Sequence, residues 1–314
     1  MPTAERQITL RFLAAPTDAG YSGNVSGGRV LEWIDKAGYA CAVGWAGTYS
    51  VTAYVGNVRF SRPVRVGDLV EVTAKLVYTG RSSMHILVTV RSGSVQDRVL
   101  TDATQCLMVF VAMGADGRST PVPPWRPVTD DDREQQASAQ RRVGLRAEIE
   151  AAMAGQQYTD NGTAPAVVLR FLAAPTDVNW GGKVHGGIVM RWIDEAAHVL
   201  ASQWTSSPAN LAVYAGGVRF YRPLLIGNLV EVEARLLLTR ANQMHISVHV
   251  RSSAATTSLL ELTTHSLIVF AAVEADSTIT TPAWHPISAE DRALEEHALH
   301  LIRLRSRSTG DGAS

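Results

Sequence analysis

Residues 174–187 read APTDVNWGGKVHGG, and residues 15–28 read APTDAGYSGNVSGG. The likeness extends beyond this loop, because LRFLAAPTD occurs twice in identical form, 159 residues apart. Further along, GNVRFSRPVRVGDLVEV matches GGVRFYRPLLIGNLVEV at a spacing of 160 residues, which places one inserted residue around 206–210. Similarity of this length predicts a duplicated domain rather than an array of short repeats.

The composition limits the classes of partner. A chain of 314 residues is long enough for two domains, each with its own core. Its 29 Lys and Arg balance 29 Asp and Glu, so we expect neither a nucleic-acid partner nor a basic membrane-binding surface. Neither a signal-peptide pattern nor an apolar run of membrane-spanning length is present. We therefore expect a cytoplasmic protein without a membrane segment.

The sequence also lacks the common signatures of metal and nucleotide cofactors. Cys41 and Cys106 align with Leu200 and Ser266 of the second repeat, so they form no repeated metal or disulfide site. Cys and His residues are not clustered at ligand spacing, and no G-x-G-x-x-G follows a strand. We expect no metal and no bound cofactor.

Each repeat has the same predicted elements. A helix that is apolar on all sides follows the Gly-Gly pair, and four β-like runs come after it, separated by Gly, Pro and Asp. A polar helix closes each repeat, with Thr129 and Ser288 as N-caps. We predict an α+β fold with four segments: an N-terminal domain, a helical connector, a C-terminal domain, and a final helix with a flexible tail, at 1–130, 131–160, 161–290 and 291–314.

The second repeat carries a specific pattern of these residues. PTDVNWGGKVHGGIVMRWIDEAA, supported by VRFYRP and GNLVEV, resembles double-hotdog thioesterases of the acyl-CoA hydrolase family. The resemblance implies tandem hotdog folds, each a buried helix wrapped by a curled antiparallel sheet, fused as a pseudo-dimer. It also implies hydrolysis of a fatty acyl-CoA, with coenzyme A present only within substrate and product, and a trimer of double hotdogs.

The spacing of one carboxylate predicts how the two repeats cooperate. Asp35 follows Gly27 by eight residues, and Asp194 follows Gly186 by eight. Eight residues span roughly 12 Å of helix, so neither carboxylate reaches a ligand at the start of its own helix. If the two buried helices run antiparallel, each Asp lies beside the other helix's Gly-Gly pair. This arrangement gives two composite sites per chain, and the family implies the same one.

The two predicted sites differ at one position. The first combines a carboxylate of the first repeat with an amide and two glycines of the second: Asp35, Asn179, Gly186 and Gly187. The other combines the reciprocal residues and has glycine in place of the amide: Asp194, Gly20, Gly27 and Gly28. We therefore expect one working site and one degenerate site. A purely structural role for either Asp remains open.

The residues of the working site suggest their roles in thioester hydrolysis. Asp35 would act as general base or as nucleophile, Asn179 would orient water or the thioester, and the Gly186 and Gly187 N–H groups would polarise the carbonyl. His185 is a candidate for lining the pocket. Three further residues are candidates for contacts with the nucleotide of coenzyme A: Arg81, Ser82 and Ser83.

Two other functions remain open. A catalytically silent acyl-CoA-binding or sensor protein is consistent with the loss at Gly20. An enoyl-CoA hydratase of the hotdog class is less favoured, since the Asp, Asn-Pro, His loop that this resemblance would imply is absent. The preferred acyl chain length does not follow from the sequence.

Overall fold

The computed structural model of the chain describes residues 5–156, 158–159, 161–274 and 277–306. Both halves follow one plan, a central helix followed by antiparallel strands. In the first half the elements are β1 (Gln7–Leu13), α1 (Gly27–Ala46), β2 (Ser50–Val55), β3 (Val58–Arg59), β4 (Leu69–Thr79), β5 (Ser83–Gly93), β6 (Thr101–Ala112) and α2 (Asp130–Ala154). In the second half they are β7 (Ala166–Leu172), α3 (Gly186–Thr205), β8 (Asn210–Phe220), β9 (Leu229–Arg240), β10 (Gln243–Ser253), β11 (Glu261–Glu274), β12 (Ser277–Thr278) and α4 (Ala289–Ser306).

The strands join into one sheet that spans both halves. Its order is β1-β4-β5-β6-β2-β8-β11-β10-β9-β7, so the second half mirrors the first. The halves meet where β2 pairs antiparallel with β8, at Tyr54 with Arg219 and at Val55 with Val218. This is the predicted tandem hotdog. The edge strands β1 and β7 were not predicted, and the inserted residue lies in the loop between α3 and β8, as expected.

The two central helices cross antiparallel at very short range. A Cβ atom at Gly28 would lie 2.9 Å from the Arg191 Cα, and one at Gly187 would lie 2.8 Å from the Glu32 Cα. Real Cβ atoms essentially never approach so closely, so only glycine permits this crossing. The second glycine of each Gly-Gly pair therefore has a packing role in addition to any role in binding.

The polar helices cover part of the outer face of the sheet. Thr129 and Ser288 are the predicted N-caps, and each accepts a hydrogen bond from the backbone N–H three residues later. One face of α4, with Leu294 and Ala298, packs against Leu237 and Leu267 on the second half of the sheet. The chain itself thus covers part of the outer face of its sheet. The predicted flexible tail, at 307–314, lies outside the described residues.

Among the described residues, no helix combines the length and apolar character that crossing a bilayer requires.

Candidate active site

The Asp35 carboxylate lies at the crossing of the two central helices. Only 1% of this residue is exposed, and its hydrogen-bond partners come from both halves. The Thr52 hydroxyl donates to Oδ1 at 2.7 Å, and the Gly187 N–H donates to Oδ2 at 2.8 Å. His185 Nδ1 also lies 2.8 Å from Oδ2. The structure thus brings the first-half carboxylate to the start of the second-half helix.

His185 forms a pair with this carboxylate. It is the N-cap residue of α3, and its Nδ1 faces both the Asp35 oxygen and, at 3.2 Å, the Gly187 nitrogen. Because the shorter contact is to a carboxylate, we assign the Nδ1 proton to the bond with Asp35. Burial lowers the pKa of His185, but the hydrogen bond and charge of Asp35, with the charge of Glu32, outweigh this effect and raise it overall.

The Asn179 side chain shapes the loop that covers the site. Its Oδ1 accepts hydrogen bonds from the backbone N–H groups of Gly181, at 2.8 Å, and Lys183, at 3.1 Å. The Tyr49 hydroxyl donates to the same oxygen at 3.4 Å. Since the amide oxygen is committed to the loop, any contact of Asn179 with a ligand falls to its Nδ2 group.

A cavity of about 350 Å³ joins the predicted residues. Asp35, Asn179, His185 and Gly186 all line it, and its volume is near the lower end of the range for small-molecule sites. Its wall also contains aromatic side chains from both halves, namely Tyr39, Tyr49, Phe220 and Tyr221. Four residues predicted for the working site therefore lie around a single cavity.

The structure changes the role expected of one predicted group and leaves three predicted residues outside the cavity. The Gly187 N–H, predicted to polarise a carbonyl, is occupied by Asp35, because the close helix crossing brings that carboxylate onto it. Gly186 lines the cavity, so a polarising N–H is better sought there. Arg81, Ser82 and Ser83 are not among the residues that line the described cavity, and their contact with a nucleotide stays a prediction.

The reciprocal site keeps the backbone but lacks the polar partners. Asp194 is 4% exposed and accepts a hydrogen bond from the Gly28 backbone. Ala212, Ser26 and Gly20 occupy the places of Thr52, His185 and Asn179. Within the described part of the chain, Asp194 Oδ1 has no hydrogen-bond partner. Burial raises the pKa of Asp194 to about 7.

Thr52 is the site residue that sequence reasoning missed. It lies in an ordinary-looking strand, β2, and nothing in that strand marks it as functional. A signal was available, because the aligned position in the second repeat is Ala212.

Among the residues that the structure describes, no group of three or more His, Cys, Asp or Glu side chains could hold a metal ion.

Comparison with known proteins agrees with this architecture. The thioesterase superfamily matches twice, at residues 22–98 and 181–259. The chain is 33% identical over 124 residues to the acyl-CoA thioester hydrolase YciA of Salmonella typhimurium, covering 38% of this chain and 93% of that protein. It is 24% identical over 270 residues to the cytosolic acyl coenzyme A thioester hydrolase of Homo sapiens, covering 79% of this chain and 69% of the relative.

A solved structure from Lactobacillus plantarum, described as an oleoyl thioesterase, supports the fold of the whole chain. It aligns with a TM-score of 0.59 over 85% of this chain and 97% of that one, at 10% identity. At this identity the likeness concerns the fold alone. Taken with the two matched repeats and the relatives, the fold shows that the chain belongs to the thioesterase superfamily, as a tandem hotdog member related to acyl-CoA thioester hydrolases.

Proposed function

We infer that the chain is an acyl-CoA thioesterase, and we propose that it hydrolyses a fatty acyl-CoA at one composite site. The observation that carries the proposal is the Asp35 carboxylate of the first half, held by Gly187 and His185 of the second half. A buried carboxylate held by three donors stays oriented, and it lies in a cavity beside an amide side chain.

In the proposed reaction, Asp35 acts as general base. Both of its oxygens already accept hydrogen bonds, which makes the carboxylate a poor nucleophile but leaves lone pairs that can hold a water molecule. The water oxygen attacks the thioester carbonyl while its proton moves to Asp35. The carbon–sulfur bond of the tetrahedral intermediate then breaks, and the departing sulfur takes the proton that Asp35 accepted, which restores the carboxylate. The products are the free acid and the thiol of coenzyme A.

The other residues position the reactants. Asn179 Nδ2 would orient the water or the thioester, because its Oδ1 is already bound within the loop. The Gly186 N–H lies at the start of α3, where the helix dipole favours negative charge on the carbonyl oxygen. His185 Nδ1 lies 2.8 Å from Asp35 Oδ2, so it would hold the carboxylate in the orientation that the reaction needs.

Thiol release from a panel of acyl-CoAs of short to long chain tests this proposal. We expect Asp35→Ala and Asn179→Ala to lower kcat/KM by about a hundredfold or more. Asp194→Ala is the matched control, because it removes the equivalent carboxylate of the degenerate site, and it should keep its activity while remaining folded. Loss of activity in Asp194→Ala alone would assign catalysis to the other site. Binding without turnover of any acyl-CoA would favour a silent binder.

We further propose a cytoplasmic trimer that needs no cofactor. The balanced charge of the chain and the absence of a spanning helix among the described residues support the location. Light scattering should give three times the 33.8 kDa chain mass if the trimer forms, and a monomer mass would contradict it. Dialysis against a chelator should leave thiol release unchanged.

A further inference from the structure

The cavity of the degenerate site lies beside a second cavity that the proposed function does not use. The degenerate cavity contains Asp194 and has a volume of about 420 Å³. A second cavity, of about 390 Å³, lies between the outer face of the first-half sheet and α2. Ser61 and Thr104 line both cavities, so the two adjoin at these residues. They share a wall at this point, and we call the pair of adjoining cavities the long cleft.

The second cavity has the chemistry of an anion site. Its charged lining consists of three arginines and one carboxylate, namely Arg59, Arg142, Arg146 and Asp102. Arg146 also pairs with Glu150 at 3.4 Å, so the lining keeps an excess of positive charge that centres on Arg142. His85 and Thr104 are each only 4% exposed, and they bring polar atoms that the described part of the chain leaves without a hydrogen-bond partner: His85 Nδ1 and Thr104 Oγ1. Buried polar atoms of this kind are normally satisfied by a ligand or by water. Guanidinium groups match phosphate oxygens in particular.

The corresponding path in the other half is closed. Tyr221 stands where the first half has Ser61, and its hydroxyl lies 3.1 Å from His265 Nε2. Leu301 stands where the first half has Arg142, and it packs in an apolar cluster with Ile149. Arg59 and Arg146 keep arginine counterparts in Arg219 and Arg305. Arg219 is paired with Glu150, however, and Leu301 removes the third cation, so we assign the long cleft to the degenerate half.

We propose that this cleft binds a second molecule of acyl-CoA or free coenzyme A without hydrolysing it. The phosphates would lie beside Arg142 and Arg146, and the thioester end would lie beside Asp194. This inference rests on the proposed function, which supplies the ligand. With burial raising the pKa of Asp194 to about 7, its protonated form can donate a hydrogen bond to a carbonyl oxygen. Asp194 lacks the threonine and histidine partners that Asp35 has, so binding there would not lead to turnover.

Calorimetric titration of the full chain tests the stoichiometry. The probe is the ketone analogue of hexanoyl-CoA, in which a methylene replaces the sulfur, so that the carbonyl remains but cannot be hydrolysed. We expect two ligands per chain in the wild type. Ser61→Tyr copies the residue that closes the other half and should leave one ligand per chain, with kcat unchanged. One ligand per chain in the wild type, or two in a folded Ser61→Tyr variant, would overturn the proposal.

A second variant tests the phosphate end and covers the case in which Ser61→Tyr does not fold. Arg142→Ala should weaken the second binding event by about ten- to a hundredfold, and it should also weaken binding of adenosine 3′,5′-bisphosphate. Arg141→Ala is the matched control, because Arg141 is the neighbouring arginine on α2, is equally exposed and does not line the cavity. Equal effects of the two substitutions would contradict the assignment.

The binding and turnover measurements can refute the two proposals separately. Thiol release with only one bound ligand per chain would preserve the proposed function and remove this inference. Two bound ligands without thiol release would remove the proposed function and leave a protein with two acyl-CoA sites.

Discussion

The two composite sites share a backbone frame and differ in the groups that surround the carboxylate. Both Asp35 and Asp194 accept a hydrogen bond from the second glycine of the partner helix. Asp35 also has Thr52 and His185, whereas Asp194 Oδ1 is unpartnered in the described structure. The comparison shows that the helix crossing maintains the glycines and their N–H groups by packing alone. Side chains that only serve chemistry are free to change in one copy.

The largest expected effect comes from making the working site resemble the degenerate one. Thr52→Ala with His185→Ser removes two of the three donors to Asp35 and copies Ala212 and Ser26. We expect kcat/KM to fall by roughly a hundredfold or more, because the carboxylate loses two of the donors that orient it. Thiol-release kinetics with circular dichroism as a folding check measure this.

The matched control for that variant is Ala212→Thr with Ser26→His in the degenerate site. These changes should leave turnover at the working site within about twofold. If the Thr52 and His185 variant keeps nearly full activity, the difference between the sites lies elsewhere, and Asn179 alone would have to account for it.

The outer faces of the two half-sheets should contribute differently to the loss of unfolding free energy at acid pH. Burial lowers the pKa of His249 to about 3 and of His265 to about 4, and the aligned residues of the first half are Thr89 and Gln105. The unfolded chain binds protons at these sites near pH 6.5, whereas the folded chain resists protonation. Stability from this source is complete above pH 6.5 and is lost as the pH falls towards 4 and below. For His265 alone, the shift from 6.5 to about 4 corresponds to roughly 3 kcal/mol.

His265→Gln tests this difference by copying the first half. Denaturant unfolding between pH 4 and 8 should show a shallower loss of unfolding free energy on the acid side than in the wild type. Thr89→Ser on the other half-sheet is the control and should leave the slope unchanged. Identical slopes for wild type and His265→Gln would show that His265 does not contribute.

The two carboxylates should respond with opposite signs to neutralisation. Because the pKa of Asp194 is raised to about 7, the folded state binds its proton more tightly than the unfolded state, and stability falls as the pH rises from about 4 to 7. Asp194→Asn removes this fall and should raise the unfolding free energy at pH 8 by about 1 to 3 kcal/mol. Asp35→Asn should lower it, because three donors hold that carboxylate. Thermal melts at pH 5 and pH 8 distinguish the two, and the same sign for both variants would contradict this.

Much of the site could be predicted because helix geometry is regular. A rise of about 1.5 Å per residue was enough to assign Asp35 to the partner helix, and the comparison of repeats identified Asn179 against Gly20. Helix geometry could not identify Thr52, since its approach to Asp35 depends on how the sheet curls around α1; only the aligned Ala212 of the second repeat gave a signal. The bond from Gly187 to Asp35 depends on helix separation, which sequence spacing does not define.

The parts of the fold that were missed share a physical reason. Strands β1 and β7 alternate between half-buried and exposed residues, the weak pattern expected at a sheet edge. The two cavities adjoin because the small Ser61 occupies the position that Tyr221 has in the second repeat, and because α2 packs beside it. Such tertiary placements leave little trace in a single sequence.

The smallest expected effect concerns the exposed aromatic residues at the two sites. Trp180 is 82% exposed and stacks on Tyr39 at 5.4 Å, and its counterpart Tyr21 stacks on His198. Trp180→Ala removes one ring from the loop that carries Asn179, so we expect KM to rise by about two- to fivefold with little change in kcat, since aromatic pairs contribute about 1 kcal/mol. Tyr21→Ala should leave both constants unchanged, because it alters only the degenerate site. Equal changes in KM for the two variants would mean that the loops act on a shared step and that the sites are not independent.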